Sequence, residues 1–335
     1  MADSLRVVFL GAAEFAVPTL HALAAGPHEL CAVFTRPDRP AGRGRRLRAS
    51  PVKRAAEALG LPVHQPARVS SPAGLEAVQA LEPDVVFVAA FGEILSPELL
   101  AAPRLGPVNL HASLLPRYRG AAPIQRALLA GERETGVTLQ WMTPELDAGD
   151  IILQRATPIG PEEGFGSLHD RLAALGAQAA AEALDLIARG EAPRLPQARE
   201  RATYAPPIRR EELLLDWRRP AAELARVVRA FSPRPGARTG RQGRLLKVIE
   251  ARALAPPGER GGVPGQVIEV AGGGFVVQTG EGGLLVLRVQ PEAGKAMSAA
   301  DYLKGHRLRL GEVLDLERSA GPPASSGRRP REGTR

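Results

Sequence analysis

Residues 5–10, 29–34, 84–90 and 106–111 are short apolar runs, each bounded by Gly, Pro or polar residues and separated by stretches of helical character. This spacing limits the chain more than any other feature. A run that is apolar at every position needs cover on both faces, and a parallel sheet sandwiched between helices supplies it. The expected fold class is therefore α/β, with a Rossmann-like first domain. Residues 17–25 and 51–59 read as connecting helices, the second with Ser50 as N-cap and Pro51 at the first helical position. Residues 138–142 and 151–157 read as two further strands joined by the 144–149 loop, and an Ala/Leu-rich helix over 167–188 closes the unit.

A chain of 335 residues exceeds one typical core, so two domains are expected. The boundary is placed at 191–208, which carries four prolines and little periodicity and reads as a linker after a first domain at 1–190. Beyond it, 211–231 contains a helical segment, and short β-rich runs follow at 245–249, 266–270, 275–279 and 284–289 with Gly turns between them. That pattern predicts a small, OB-like β-barrel over 209–318. Residues 319–335 are rich in Gly, Pro, Ser and Arg, bury no apolar area, and read as a disordered tail.

The formal net charge of +8 permits a polyanionic partner without requiring one. The single cysteine, Cys31, lies in an apolar run, has no disulfide partner, and should pack as a small hydrophobe. The opening MADSLRVVFLG is too short in apolar residues for a signal peptide, and no stretch nears the roughly 18 of a membrane span. A cytoplasmic monomer is the expectation. One Cys and six scattered His offer no ligand cluster, so no metal is expected.

In a parallel α/β sheet, ligands bind beyond the carboxyl ends of the strands. There Asn109 and His111 sit two apart, which in extended chain puts an amide and an imidazole on one side. Downstream, Asp147 offers a carboxylate on the Gly-containing 146–150 turn. Such a trio suits transfer through a tetrahedral intermediate with the substrate amine as nucleophile: amide donation to the oxyanion, proton exchange at the imidazole, and a carboxylate to orient it. On spacing alone the same residues also suit turn hydrogen bonds.

The block 109–125, NLHASLLPRYRGAAPIQ, followed by Glu134-Thr-Gly-Val-Thr138 and Leu146-Asp-Ala-Gly-Asp150, resembles the signature of the folate-dependent formyltransferases. Residues 34–53, FTRPDRPAGRGRRLRASPVK, resemble the basic loop inserted by the branch that formylates aminoacyl-tRNA; from Arg36 to Arg54 there are eight basic residues and one acidic. Thr203-Tyr-Ala205, Asp216-Trp217, Arg229-Ala-Phe-Ser-Pro233 and Gly294-Lys-Ala-Met-Ser298 stand where that branch has similar strings in its second domain, so the likeness covers about residues 4–314. Departures are Gly11-Ala-Ala-Glu-Phe15 for the family's Gly-Thr-Pro-x-Phe turn, Pro207 for a usual Lys, and Arg234 for a usual Trp.

The resemblance implies transfer of the formyl group of 10-formyltetrahydrofolate, as co-substrate, to the α-amino group of initiator methionyl-tRNA. It implies catalysis by Asn109, His111 and Asp147. It further implies folate contacts from Ser113, Leu114, Leu115 and Pro116 and from Phe91, Gly92, Ile94 and Leu95, although the last group also suits core packing. Arg36, Arg39, Arg43, Arg45, Arg46 and Lys53 would meet tRNA phosphates, and the second domain would help hold the tRNA. Arg117 and Arg119 suit either an anionic ligand or the surface. A formyltransferase acting on a small amine would need neither the basic loop nor the second domain, and a non-catalytic RNA binder would not need the trio.

Overall fold

The structure is a computed structural model that describes residues 4–41, 46–255, 262–271 and 273–315, and it divides into two compact units, 1–208 and 209–335. The first unit is built on a seven-stranded sheet. Its strands are β1 (Arg6–Gly11), β2 (Glu29–Phe34), β5 (Val63–His64), β6 (Val85–Ala89), β7 (Gly106–His111), β8 (Glu134–Trp141) and β9 (Ile151–Pro158), while β3 (Arg39–Ala41) and β4 (Arg46–Arg48) form a separate ladder. The order across the sheet is β5-β2-β1-β6-β7-β8-β9. The pairs from β5 to β7 are parallel, as the apolar runs predict, and β8 and β9 join antiparallel.

The helices of this unit are α1 (Val17–Ala24), α2 (Pro51–Ala58), α3 (Pro72–Gln79), α4 (Pro97–Leu100), α5 (Pro123–Ala130) and α6 (Phe165–Ala188). Val8, Leu10, Val86 and Val88 share one face of the sheet with Val78 of α3 and Leu99 of α4. On the opposite face Phe9 stacks on Phe87 at 6.1 Å, and α6 comes close enough there that a Cβ on Gly176 would lie 2.8 Å from Leu110. Phe9, Phe34 and Phe87 are fully buried, which is worth roughly 1.5–3 kcal/mol each. Cys31 is half-buried against this core, and burial together with the nearby Glu29 pushes its thiol up.

Ser50 caps α2 as its sequence predicts, accepting a bond from the Lys53 amide at 2.9 Å, and its hydroxyl also meets Thr35 Oγ1 at 2.8 Å. Ser50→Ala should lower the unfolding free energy by about 1 kcal/mol, read from urea melts.

The 191–208 segment, expected as a linker, is bonded along the first unit instead. Leu195 exchanges two main-chain bonds with Ile151, Arg119 N donates to Thr203 O at 2.8 Å, and Ala205 N donates to Arg119 O at 2.7 Å. Proline interrupts periodicity without preventing such edge pairing.

The second unit contains α7 (Ala221–Phe231), which packs on an antiparallel sheet of β10 (Ala237–Arg241), β11 (Arg244–Leu254), β12 (Val267–Ala271), β13 (Gly274–Gln278), β14 (Gly283–Pro291) and β15 (Met297–Ser298), followed by α8 (Ala299–Gly305). The strand order is β10-β11-β14-β13-β12, with β15 beside β14. The helix expected within 211–231 is α7, with Pro220 at its N-cap and a separate 3₁₀ turn at Arg210–Leu213. Buried Arg241 bonds Glu312 at 2.8 Å and the Tyr302 hydroxyl at 2.9 Å. The tail expected at 319–335 lies outside the described residues.

Candidate active site

The chain leaves β1 toward β2 on one side and returns to β6 on the other, so a crevice opens beyond the carboxyl ends of β1 and β6, where such sheets bind ligands. A cleft of about 1120 Å³ lies there, lined by Ala12 and Ala13 after β1, Ala90 and Phe91 after β6, and Asn109 and His111 of β7. Its rim carries exposed apolar side chains, among them Ile94, Leu146 and Tyr204.

Asn109 and His111 alternate along β7, and the antiparallel partner β8 sets Gln140 opposite Asn109. The loop between β8 and β9 then folds back over the face and brings Asp147 to both. Asn109 Nδ2 lies 3.4 Å from Asp147 Oδ1, and His111 Nδ1 lies 3.5 Å from Asp147 Oδ2. Asp147 takes φ +49° and is anchored by Gly120 N at 2.8 Å and Gln140 Nε2 at 3.0 Å. Close beside it, a Cβ on Gly149 would fall 1.7 Å from the Trp141 carbonyl oxygen, so only glycine fits.

His111 Nε2 lies 2.9 Å from the carbonyl oxygen of Tyr118. A carbonyl only accepts, so Nε2 carries the proton and Nδ1, facing Asp147, is the nitrogen available for exchange. Tyr118 is itself pinned: its amide donates to Thr203 Oγ1 at 2.8 Å and its hydroxyl to Glu132 at 2.6 Å. Burial and the Glu132 bond push that hydroxyl up to about 12, so it stays a donor at neutral pH.

Phe91, Gly92, Ile94 and Leu95 all line the cleft, as do Arg36 and Arg39, and Arg36 Nη2 donates to Gly92 O at 2.8 Å. Arg48 lines it too. Ser113, Leu114, Leu115 and Pro116 do not: the lining stops at Ala112, because Thr138 and Gln154 draw the following residues behind it. Thr138 Oγ1 donates to Ser113 O at 2.6 Å and accepts from Leu115 N at 3.1 Å, and Gln154 Nε2 donates to Leu115 O at 2.9 Å.

Lys53, expected to meet phosphate, is bonded to Asp38 at 2.9 Å. Bonds from Gln65 and Lys53 hold that carboxyl below its ordinary value, which fastens the lysine to it. Arg43 and Arg45 lie outside the described residues, and Arg46 belongs to β4. The flanks of the basic loop pair as β3 and β4. Arg117 bonds Glu132 at the surface, whereas Arg119 is 2% exposed and bonds Gln197.

Gln140 and Gln197 were not singled out by the sequence. The available signal for Gln140 is a polar residue inside the apolar run of β8; Gln197, between prolines, offers none. Among the described residues no group of three or more His, Cys, Asp or Glu could hold a metal ion, and no helix is long and apolar enough to cross a membrane.

The formyl transferase family model matches residues 5–184, and its C-terminal domain model matches 207–307. The chain is 52% identical to a methionyl-tRNA formyltransferase from Moorella thermoacetica over 92% of this chain and 99% of that protein. It is 50% identical to a protein of the same name from Halorhodospira halophila, over 92% and 99%. Among solved structures, HypX from Aquifex aeolicus in complex with tetrahydrofolic acid superposes with a TM-score of 0.63 at 19% identity, covering 90% of this chain, which spans only 47% of that one. An N-formyltransferase from Helicobacter canadensis, in complex with folinic acid and dTDP-3-aminofucose, has a TM-score of 0.63 at 18% identity, over 86% of this chain and all of that one. These two share the fold. With both domain models matched in order and the curated relatives aligned along almost their whole length, the chain belongs to the formyl transferase family, in its methionyl-tRNA formyltransferase branch.

Proposed function

We propose that the chain transfers the formyl group of 10-formyltetrahydrofolate to the α-amino group of initiator methionyl-tRNA, giving N-formylmethionyl-tRNA for translation initiation. The observation that carries the reading is the convergence of Asn109 and His111 on Asp147 inside the cleft at the sheet's crossover. The cleft fits a folate in kind: an apolar wall at Phe91 and Leu95 for a flat ring, and polar groups at its floor.

The incoming amine attacks the formyl carbon, and the carbonyl oxygen gains charge as the new C–N bond forms. Asn109 Nδ2, whose contact to Asp147 is long at 3.4 Å, has donor capacity left for that oxygen. His111 accepts the amine's proton at Nδ1 and returns one to the departing folate nitrogen. Asp147 faces Nδ1, stabilises the protonated ring, and keeps it turned toward the cleft.

Arg36 and Arg39 line the cleft, and in this reading their charge, with that of Arg43, Arg45 and Arg46, guides the tRNA acceptor end. The second unit helps hold the tRNA, and the protein works as a cytoplasmic monomer. Neutralising Arg43, Arg45 and Arg46 together should raise KM for charged tRNA about tenfold at 0.15 M salt while kcat stays within about twofold. An enzyme for a small amine would barely respond. The direct assay is formation of a blocked methionine amino group from 10-formyltetrahydrofolate and charged initiator tRNA; its absence would overturn the reading.

A further inference from the structure

We infer that Gln197 is a positioning residue for Asp147, and that Arg119 acts on the same carboxylate through Gln197. The inference rests on the reading of Asp147 above and adds the two groups that set its geometry. Gln197 comes from the proline-rich stretch after α6 and is 9% exposed. Its Nε2 lies 2.7 Å from Gly149 O, 2.9 Å from Asp147 O and 3.2 Å from Gln140 Oε1. One amide thus grips the catalytic loop on both sides of Ala148.

The direction of every bond in this cluster follows from Arg119. A guanidinium donates and never accepts, so the Gln197 atom that meets Arg119 Nε at 3.1 Å and Nη2 at 2.8 Å must be its oxygen. The Gln197 nitrogen is then turned to the loop carbonyls and to Gln140 Oε1. That in turn fixes Gln140, whose nitrogen is left to donate to Asp147 Oδ1 at 3.0 Å. Oδ1 receives a donor, and Oδ2 is left for Gly120 N and His111 Nδ1.

A guanidinium 2% exposed is costly to bury unless its donors are used. Its other partner is Glu145 Oε1 at 3.4 Å, on the same loop as Asp147. Side-chain networks of this kind hold one arrangement when every member is satisfied. Here the arrangement is the one that aims a carboxylate at an imidazole.

The test compares Gln197→Glu, Gln197→Leu and Asp147→Asn, singly and combined, in the full-length protein, with kcat, both KM values and thermal melts. Gln197→Glu keeps an oxygen for Arg119 but can donate nothing to Asp147, Gly149 or Gln140. It should lose about tenfold or more in kcat, with KM for folate and for tRNA within about twofold in protein that still melts cooperatively. Gln197→Leu should lose at least as much; if it does not fold, the Glu variant carries the test. In the Asp147→Asn background either change should cost less than about twofold further, since the group it positions is already gone. A folded Gln197→Glu protein with normal kcat would overturn the inference, as would losses that multiply in the double variant. Normal turnover in Asp147→Asn alone would instead overturn the reading of the site beneath it.

Discussion

Asp147→Asn should turn over at least about a hundredfold more slowly than the parent, and His111→Ala by a similar factor, with tRNA affinity nearly intact in both. The carboxylate is surrounded by donors on both oxygens: Gly120 N on Oδ2, and Gln140 Nε2 and Asn109 Nδ2 on Oδ1. An asparagine amide must turn its own NH₂ toward one of these sets, so a donor meets a donor whichever way it lies. The negative charge opposite His111 Nδ1 is lost as well, and with it the stabilisation of the protonated ring. Single-turnover formation of blocked methionine, with tRNA binding measured separately by filter retention, reads both effects. Turnover within about threefold of the parent in either variant would refute the assigned roles.

Gly149→Ala should be the most damaging small change in the catalytic loop. The added Cβ would sit 1.7 Å from the Trp141 carbonyl oxygen, a main-chain atom that cannot swing aside. Trp141 N donates to Asp150 O at 2.9 Å across the base of the loop, so relief of the clash separates the strands there. A loss of about 3 kcal/mol in unfolding free energy is expected, with kcat falling more than tenfold because Asp147 shifts with its neighbour. Gly305→Ala is the control, since nothing lies within 4 Å of a Cβ there. Equal urea melts for the two alanine variants would show that the loop can accommodate the methyl group.

The parallel part of the sheet was legible because its strands are buried on both faces and so read as unbroken apolar runs. Asn109 and His111 were legible for a related reason: extended chain fixes alternate residues on one side whatever the packing. Other features left no such trace. Two-residue β5 is too short to show a period. Three-residue β3, which holds Pro40, and β4, with Leu47 between two arginines, carry no apolar run, although they pair.

Lys53 looked free because its partner, Asp38, lies 15 residues away on another segment. Ser113 to Pro116 were expected at the folate on the family resemblance alone, and the cleft lining passes from Ala112 to Arg119 without them. Bonds from Thr138 and Gln154 take them elsewhere, and hydropathy does not register bonds. Gln197 was hidden for the same cause, with its partners all polar and distant in sequence.

The antiparallel entry of β8 also bears on how the centre comes into being. Gln140 and Asp147 are separated by only 7 residues, so one hairpin brings them together, and contacts of that range form early. The Gln197 clasp closes over a separation of 50. During synthesis the carboxylate can take its outline as soon as the hairpin has emerged, and it becomes fastened only after residue 197 has followed. Competence for chemistry is thereby tied to completion of the first unit, so a half-made chain holds the reacting groups without holding them in place.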